Sequence, residues 1–130
     1  MTTRRSIFYL DDDPAQLEVF REMFGSGYDV HTSTSLDDAL LALAECSPEI
    51  IISDQSMPWV KGTEFLRAAA QVCPGSARVL LTGHASLGDL LADVASGTVH
   101  LFISKPWREA EMRDALERAG ALADSLRGAR

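Results

Sequence analysis

A few polar residues stand at the ends of apolar runs, where side chains can meet a ligand. Asp11, Asp12 and Asp13 follow Ile7-Phe8-Tyr9-Leu10. Asp54 follows the run that begins Ile50-Ile51-Ile52, Thr82 follows Val79-Leu80-Leu81, and Lys105 follows the segment Val99 to Ile103 and Ser104. Carboxylates gathered in one crevice repel. Two unit charges about 4 Å apart interact by roughly 4 kcal/mol at an effective dielectric near 20. Relief comes from protonation or from cations. A hard divalent ion with oxygen ligands is the natural counter-charge. Mg²⁺ suits two acids plus one backbone carbonyl, because it keeps several waters and favours a phosphate oxygen. Mn²⁺ shares that preference for oxygen ligands. Lys105 adds a fixed positive charge. Cations facing a carboxylate are what phosphoryl transfer to that carboxylate requires, since the reaction needs alignment and charge neutralisation more than covalent help.

That chemistry demands elements that bring the four addresses together. The chain alternates short apolar runs with longer periodic segments. Ile7 to Leu10 reads as a first strand, and Asp13 as the N-cap of a helix with Pro14 at its first position. Leu17, Phe20 and Phe24 follow at helical spacing and stop near Gly25 and Gly27. Tyr28 to Thr32 alternates like a strand near an edge. Ser35 caps a second helix whose apolar face includes Leu36, Leu40 and Leu43, and Pro48 closes that connection. Ile50-Ile51-Ile52 has no polar side, which suits a strand covered on both faces. Thr63 to Val72 is a third helix with Phe65, Leu66 and Ala69 inward. Val79 to Leu81 is a fourth strand. Leu87, Leu90, Leu91 and Val94 make the stripe of a fourth helix. Val99 to Ile103 is a fifth strand, and Pro106 opens a last helix carrying Met112, Leu116, Ala119 and Leu122.

Five strand-then-helix units predict an α/β fold, a single doubly wound five-stranded parallel sheet flanked by five helices. In such sheets ligands sit outside the carboxyl ends of the strands, where strand order reverses. With the order 2-1-3-4-5, Asp11, Asp12 and Asp54 converge from neighbouring strands. Residues 1–130 read as one domain, with 127–130 a frayed tail or the start of a linker.

The composition narrows the function. Of 130 residues 46% are apolar and 24% charged, which excludes a disordered or collagen-like chain. Nineteen acidic against 12 basic side chains give a net charge of −7. That balance argues against a nucleic-acid backbone binder and against an anionic membrane surface. Cys46 and Cys73 are too few for a disulfide framework and lack metal-ligand spacing, so they read as buried or half-buried thiols in a reducing compartment. The apolar run before Asp11 is too short for a signal peptide, and no stretch approaches a bilayer span. A soluble, cytoplasmic protein is expected.

The segments Leu10-Asp11-Asp12-Asp13-Pro14, Ile52-Ser53-Asp54-Gln55-Ser56-Met57-Pro58, Leu80-Leu81-Thr82-Gly83 and Phe102-Ile103-Ser104-Lys105-Pro106 together resemble the receiver domain of bacterial two-component response regulators (CheY-like) over nearly the whole chain. The resemblance implies a flavodoxin-like fold and a set of roles. Asp54 is similar to the phosphoacceptor, supplied by a histidine kinase or a phosphotransfer protein. Asp11 and Asp12 are similar to the Mg²⁺-binding acidic pair, with Asp54 and the backbone carbonyl of Ser56 as further ligands. Thr82 and Lys105 are similar to the phosphoryl-binding hydroxyl and ammonium, and the Lys105-Pro106 bond is expected to be cis. Phe102 stands where the family places its switch aromatic. Phosphorylation would draw Thr82 inward and let Phe102 take its space, switching an output face made of the fourth helix, fifth strand and fifth helix. Dimerisation through that face on phosphorylation is a further expectation. Gly83, His84 and the ending through Trp107 resemble receivers joined to cyclic-di-GMP phosphodiesterases or sensor-kinase hybrids, so an effector of phosphodiesterase or kinase type in a longer chain is expected. His31, His84 and His100 show no metal-ligand spacing, and His84 alone stands where it can act on dephosphorylation.

Each residue also has a plainer reading. Asp13 is a helix cap, Thr82 a turn hydroxyl, Lys105 a surface charge, Phe102 a core strand residue and Trp107 a surface-anchored ring. Two rival functions remain. One is a Mg²⁺-dependent phosphohydrolase with an aspartyl nucleophile on the first strand, for which Asp11 and Asp13 have the spacing. The other is a docking domain that works without phosphate. The leading expectation is a signalling module that catalyses only its own phosphorylation and dephosphorylation.

Overall fold

The computed structural model describes residues 4–83 and 87–128. Five strands and five helices alternate: β1 (Ser6–Leu10), α1 (Pro14–Phe24), β2 (Asp29–Ser33), α2 (Leu36–Cys46), β3 (Ile50–Asp54), α3 (Gly62–Val72), β4 (Ala77–Thr82), α4 (Leu87–Ala95), β5 (Leu101–Ser104) and α5 (Glu109–Gly128). All pairings are parallel and the strand order is β2-β1-β3-β4-β5. The doubly wound sheet expected from the alternation is the one observed.

Burial follows from the residue pattern. All five residues of β3 are buried, as an isoleucine run at the sheet centre requires. On one face, Ile7, Tyr9, Ile50, Ile52, Val79 and Leu81 pack against α1 and α5. On the other, Phe8, Leu10, Ile51 and Leu80 pack against α2 and α3. The alternation of side chains along each strand divides the core in this way. The two expected caps are present: the Asp13 carboxylate accepts from Ala15 N–H and the Ser35 hydroxyl from Asp38 N–H.

Two members of the α4 stripe are exposed, Leu91 at 60% and Val94 at 49%. Periodicity establishes that a helix has an apolar side; only a packed neighbour buries it. The last helix begins at Glu109 and not at Pro106. Residues 127 and 128 are helical and not frayed. The Arg127 guanidinium donates to the carbonyls of Gly75 at 3.0 Å and of Ser47 and Pro48 at 3.1 and 2.6 Å, which fastens the helix end to two loops; residues 129 and 130 lie outside the described residues. The two thiols differ: Cys73 is buried but Cys46 is exposed. No described helix is long and apolar enough to cross a membrane.

Candidate functional site

Sheet register alone brings the polar addresses together. Leu10 pairs with Ser53, so Asp11, the next residue, is level with Asp54 on the adjacent strand. Asp54 pairs with Leu81, and Thr82 pairs with Ser104, which places Lys105 one residue beyond Thr82. All four stand at the carboxyl ends of their strands, at the point where the chain order reverses between β1 and β3.

The carboxylates of Asp11, Asp12 and Asp54 converge, with one oxygen from each lying within 4.8 Å of the others. Asp11 and Asp54 are buried at 1% and 4% exposure, whereas Asp12 is exposed and opens the cluster to solvent. An all-oxygen donor set with one wet side fits a hard divalent cation, and a soft or nitrogen-preferring one poorly. Burial pushes the Asp11 carboxyl up, and the charge of Asp54 pushes the same way. Hydrogen bonds from Asp13 N–H at 3.0 Å and from the Tyr9 hydroxyl at 2.8 Å oppose that rise. Burial likewise puts the Tyr9 phenol far above its ordinary range, reinforced by Asp11.

Lys105 Nζ donates to Asp54 Oδ1 at 2.9 Å. Burial pulls the ammonium down, but the hydrogen bond and charge of Asp54, with Asp11 and Asp12 beyond, outweigh it. The net shift is upward, so the group is a fixed cation at neutral pH. The Lys105–Pro106 peptide is cis, as expected. Among the described residues, one buried side-chain polar atom has no partner, and it is Thr82 Oγ1. A buried hydroxyl without a partner costs about 1–3 kcal/mol.

Of the other expected residues, Ser56 lies in the β3–α3 connection, bridged to Lys61. Phe102 is half-buried on β5 against the core of the α2–α3 face. Trp107 is more than a surface ring: it meets Phe20 edge-on at 6.4 Å and packs against the core of the α1–α5 face. His84 lies outside the described residues.

Two residues escaped the sequence reading. Tyr9 shares a face with Asp11 because strand side chains repeat every second residue, a signal that was there to be used. Gly62 begins α3 hard against β3. A Cβ there would stand 2.4 Å from the Asp54 carbonyl oxygen and 2.8 Å from Leu80 Cδ1. The Gly62→Ala variant is therefore expected to lose roughly 1–3 kcal/mol of stability through overpacking. A lowered urea midpoint checks this, and an unmoved midpoint contradicts it.

Comparison with known proteins agrees with this geometry. The family model for the response regulator receiver domain matches residues 7–117. The hydrogenase transcriptional regulatory protein HoxA of Cupriavidus necator is 26% identical over 114 residues, which are 88% of this chain and 24% of that protein. The chain thus spans about a quarter of that relative's length. Among solved structures, an adenylate cyclase from Rhodopirellula baltica superposes with a TM-score of 0.90 at 26% identity, covering 97% of this chain and 94% of that one. The signal receiver domain of an HD domain-containing protein from Pseudomonas fluorescens gives 0.87 at 27% identity, covering 98% and 95%. Five parallel strands in this order and a family match across most of the chain lead to one conclusion: the chain belongs to the response regulator receiver domain family, a signalling module of two-component systems.

Proposed function

We propose that Asp54 is the phosphoacceptor of this receiver and that its phosphorylation depends on Mg²⁺ held by Asp11, Asp12, Asp54 and the Ser56 carbonyl. The observation that carries this is the Asp54 carboxylate itself, which lies 2.9 Å from Lys105 Nζ and in one cluster with Asp11 and Asp12. In the transfer, an Asp54 oxygen bonds to phosphorus as the phosphorus–nitrogen bond of a donor phosphohistidine breaks. The product is an acyl phosphate; the electron pair of the broken bond stays on the imidazole nitrogen, and the ring leaves neutral with its proton on the other ring nitrogen. Mg²⁺, when bound, supplies charge neutralisation for the phosphoryl oxygens. Lys105 holds one of those oxygens, and the unpartnered Thr82 hydroxyl donates to another. The donor is a histidine kinase or phosphotransfer protein. A groove of about 370 Å³ beside Lys105, walled by Val19, Met23 and Trp107, offers it an apolar seat. Movement of Thr82 toward the phosphoryl group frees space for the Phe102 ring. That biases the face made of α4, β5 and α5, which reads out to an effector in a longer chain or to a second copy.

The phosphohydrolase reading needs Asp11 as nucleophile and Asp13 as its acid. The Asp13 carboxylate instead caps α1, accepting from Ala15 N–H at 3.0 Å, which disfavours that reading. The experiment is incubation with acetyl phosphate and Mg²⁺, followed by intact mass. One labile phosphoryl adduct per chain is expected, absent after chelation. Steady phosphate release from a generic phosphoester without an adduct would favour the hydrolase. Absence of both adduct and Mg²⁺ response would favour a docking domain that works without phosphate.

A further inference from the structure

Tyr9 is buried in β1 with its ring edge-on to Phe20, the centroids 5.1 Å apart and the planes at 74°. Phe20 is itself wedged against Phe24 at 4.9 Å and Trp107 at 6.4 Å. The ring is enclosed by the core, and a buried phenol needs a hydrogen-bond partner. Its hydroxyl donates to Asp11 Oδ2 at 2.8 Å, while Asp13 N–H donates to Asp11 Oδ1 at 3.0 Å. One donor comes from the rigid core and one from the loop, so the plane of the Asp11 carboxylate is fixed from both sides. Each carboxylate oxygen accepts at about two sites, so both can still face a cation.

We propose that Tyr9 is a positioning residue, whose hydroxyl pins the Asp11 carboxylate in the orientation that ligates the divalent cation. The inference rests on the reading of Asp11 as a metal ligand. Carboxylates that bind metals are generally held by a second layer of hydrogen bonds, and losing such a partner costs about 10–100-fold in affinity. The opposite arrangement, a phenol competing with the cation for Oδ2, has the opposite sign: removing it would tighten binding.

Tyr9→Phe keeps the ring and removes only the hydroxyl. Mg²⁺ titration by calorimetry at fixed ionic strength is expected to show a Kd raised about 10–100-fold. Near-ultraviolet circular dichroism confirms that the core is intact. A second measurement needs no change at Tyr9. The chain has two tyrosines, so Tyr28→Phe leaves Tyr9 as the sole one. Its ¹³Cζ resonance is expected to shift on Mg²⁺ addition with the calorimetric midpoint while the hydroxyl proton stays protected from solvent exchange; loss of that protection on Mg²⁺ addition would mean that the phenol competes with the cation, which decides the matter should Tyr9→Phe not fold. An unchanged or lower Kd in Tyr9→Phe, or a Tyr9 resonance blind to Mg²⁺, overturns the inference alone. Wild-type protein that binds no Mg²⁺ overturns the metal reading beneath it.

Discussion

Lys105→Ala should slow phosphorylation of Asp54 by about 10²–10³-fold. The ammonium sits 2.9 Å from Asp54 Oδ1, and its net upward shift keeps it charged at neutral pH. As the phosphoryl group arrives, negative charge accumulates on oxygens that Asp54, Asp11 and Asp12 already crowd with charge. A positioned donor at such a point contributes about 2.7–4 kcal/mol to the transition state. A lysine that merely decorated the surface would contribute less than about 1 kcal/mol, under tenfold in rate. The two sizes are far enough apart to decide the role. Lys105→Arg should recover only part of the loss, because a planar fork cannot take the place of a compact ammonium. The measurement is the single-turnover rate of adduct formation from acetyl phosphate at saturating Mg²⁺. A change below about fivefold would remove Lys105 from the site.

Asp11→Asn should weaken Mg²⁺ binding by about 10³-fold. Asp11 is the buried member of the acidic pair, so its charge acts with little solvent screening. Two unit charges about 4 Å apart attract by roughly 4 kcal/mol at an effective dielectric near 20; the cation's second charge adds to this and its dehydration offsets it, and each 1.4 kcal/mol is tenfold in affinity. The same substitution removes one charge from a like-charged cluster, so the metal-free protein should melt no lower than wild type. Wild type should gain melting temperature with added Mg²⁺, because a cation that binds only the folded state stabilises it by mass action, and the variant should lose that gain. Calorimetry and thermal melts with and without Mg²⁺ test both halves. An Asp11→Asn protein that keeps the wild-type gain in melting temperature with Mg²⁺ would mean that the carboxylate does not serve a cation.

Much of this was legible before any coordinates. The isoleucine run of β3 suited a strand covered on both faces, and Asp13-Pro14 the opening of a helix; both are as the structure has them. The polar residues were found by their addresses at strand ends, which the parallel topology turns into one crevice. What escaped depends on partners distant in sequence. The period of α4 marks an apolar stripe, but whether a neighbour covers it is not written there, and Leu91 and Val94 are exposed. Arg78 on β4, which the sequence did not single out, is buried, and its guanidinium donates to the carbonyls of Ser76, Gly97 and Thr98. Burial lowers its pKa. Arg127 reads as a tail and is a clasp. Long side chains that bind backbone carbonyls leave no periodic trace, since their partners are main-chain groups of any residue type.

The most direct test of the whole account is to locate the transferred group. Borohydride reduces an acyl phosphate to an alcohol and so marks the acceptor permanently, and peptide mapping then finds it. Protein treated with acetyl phosphate and Mg²⁺ should carry one mark, on Asp54, with none in Asp54→Ala or after chelation. A mark on Asp11 or Asp13, or phosphate released with no mark at all, would contradict the account.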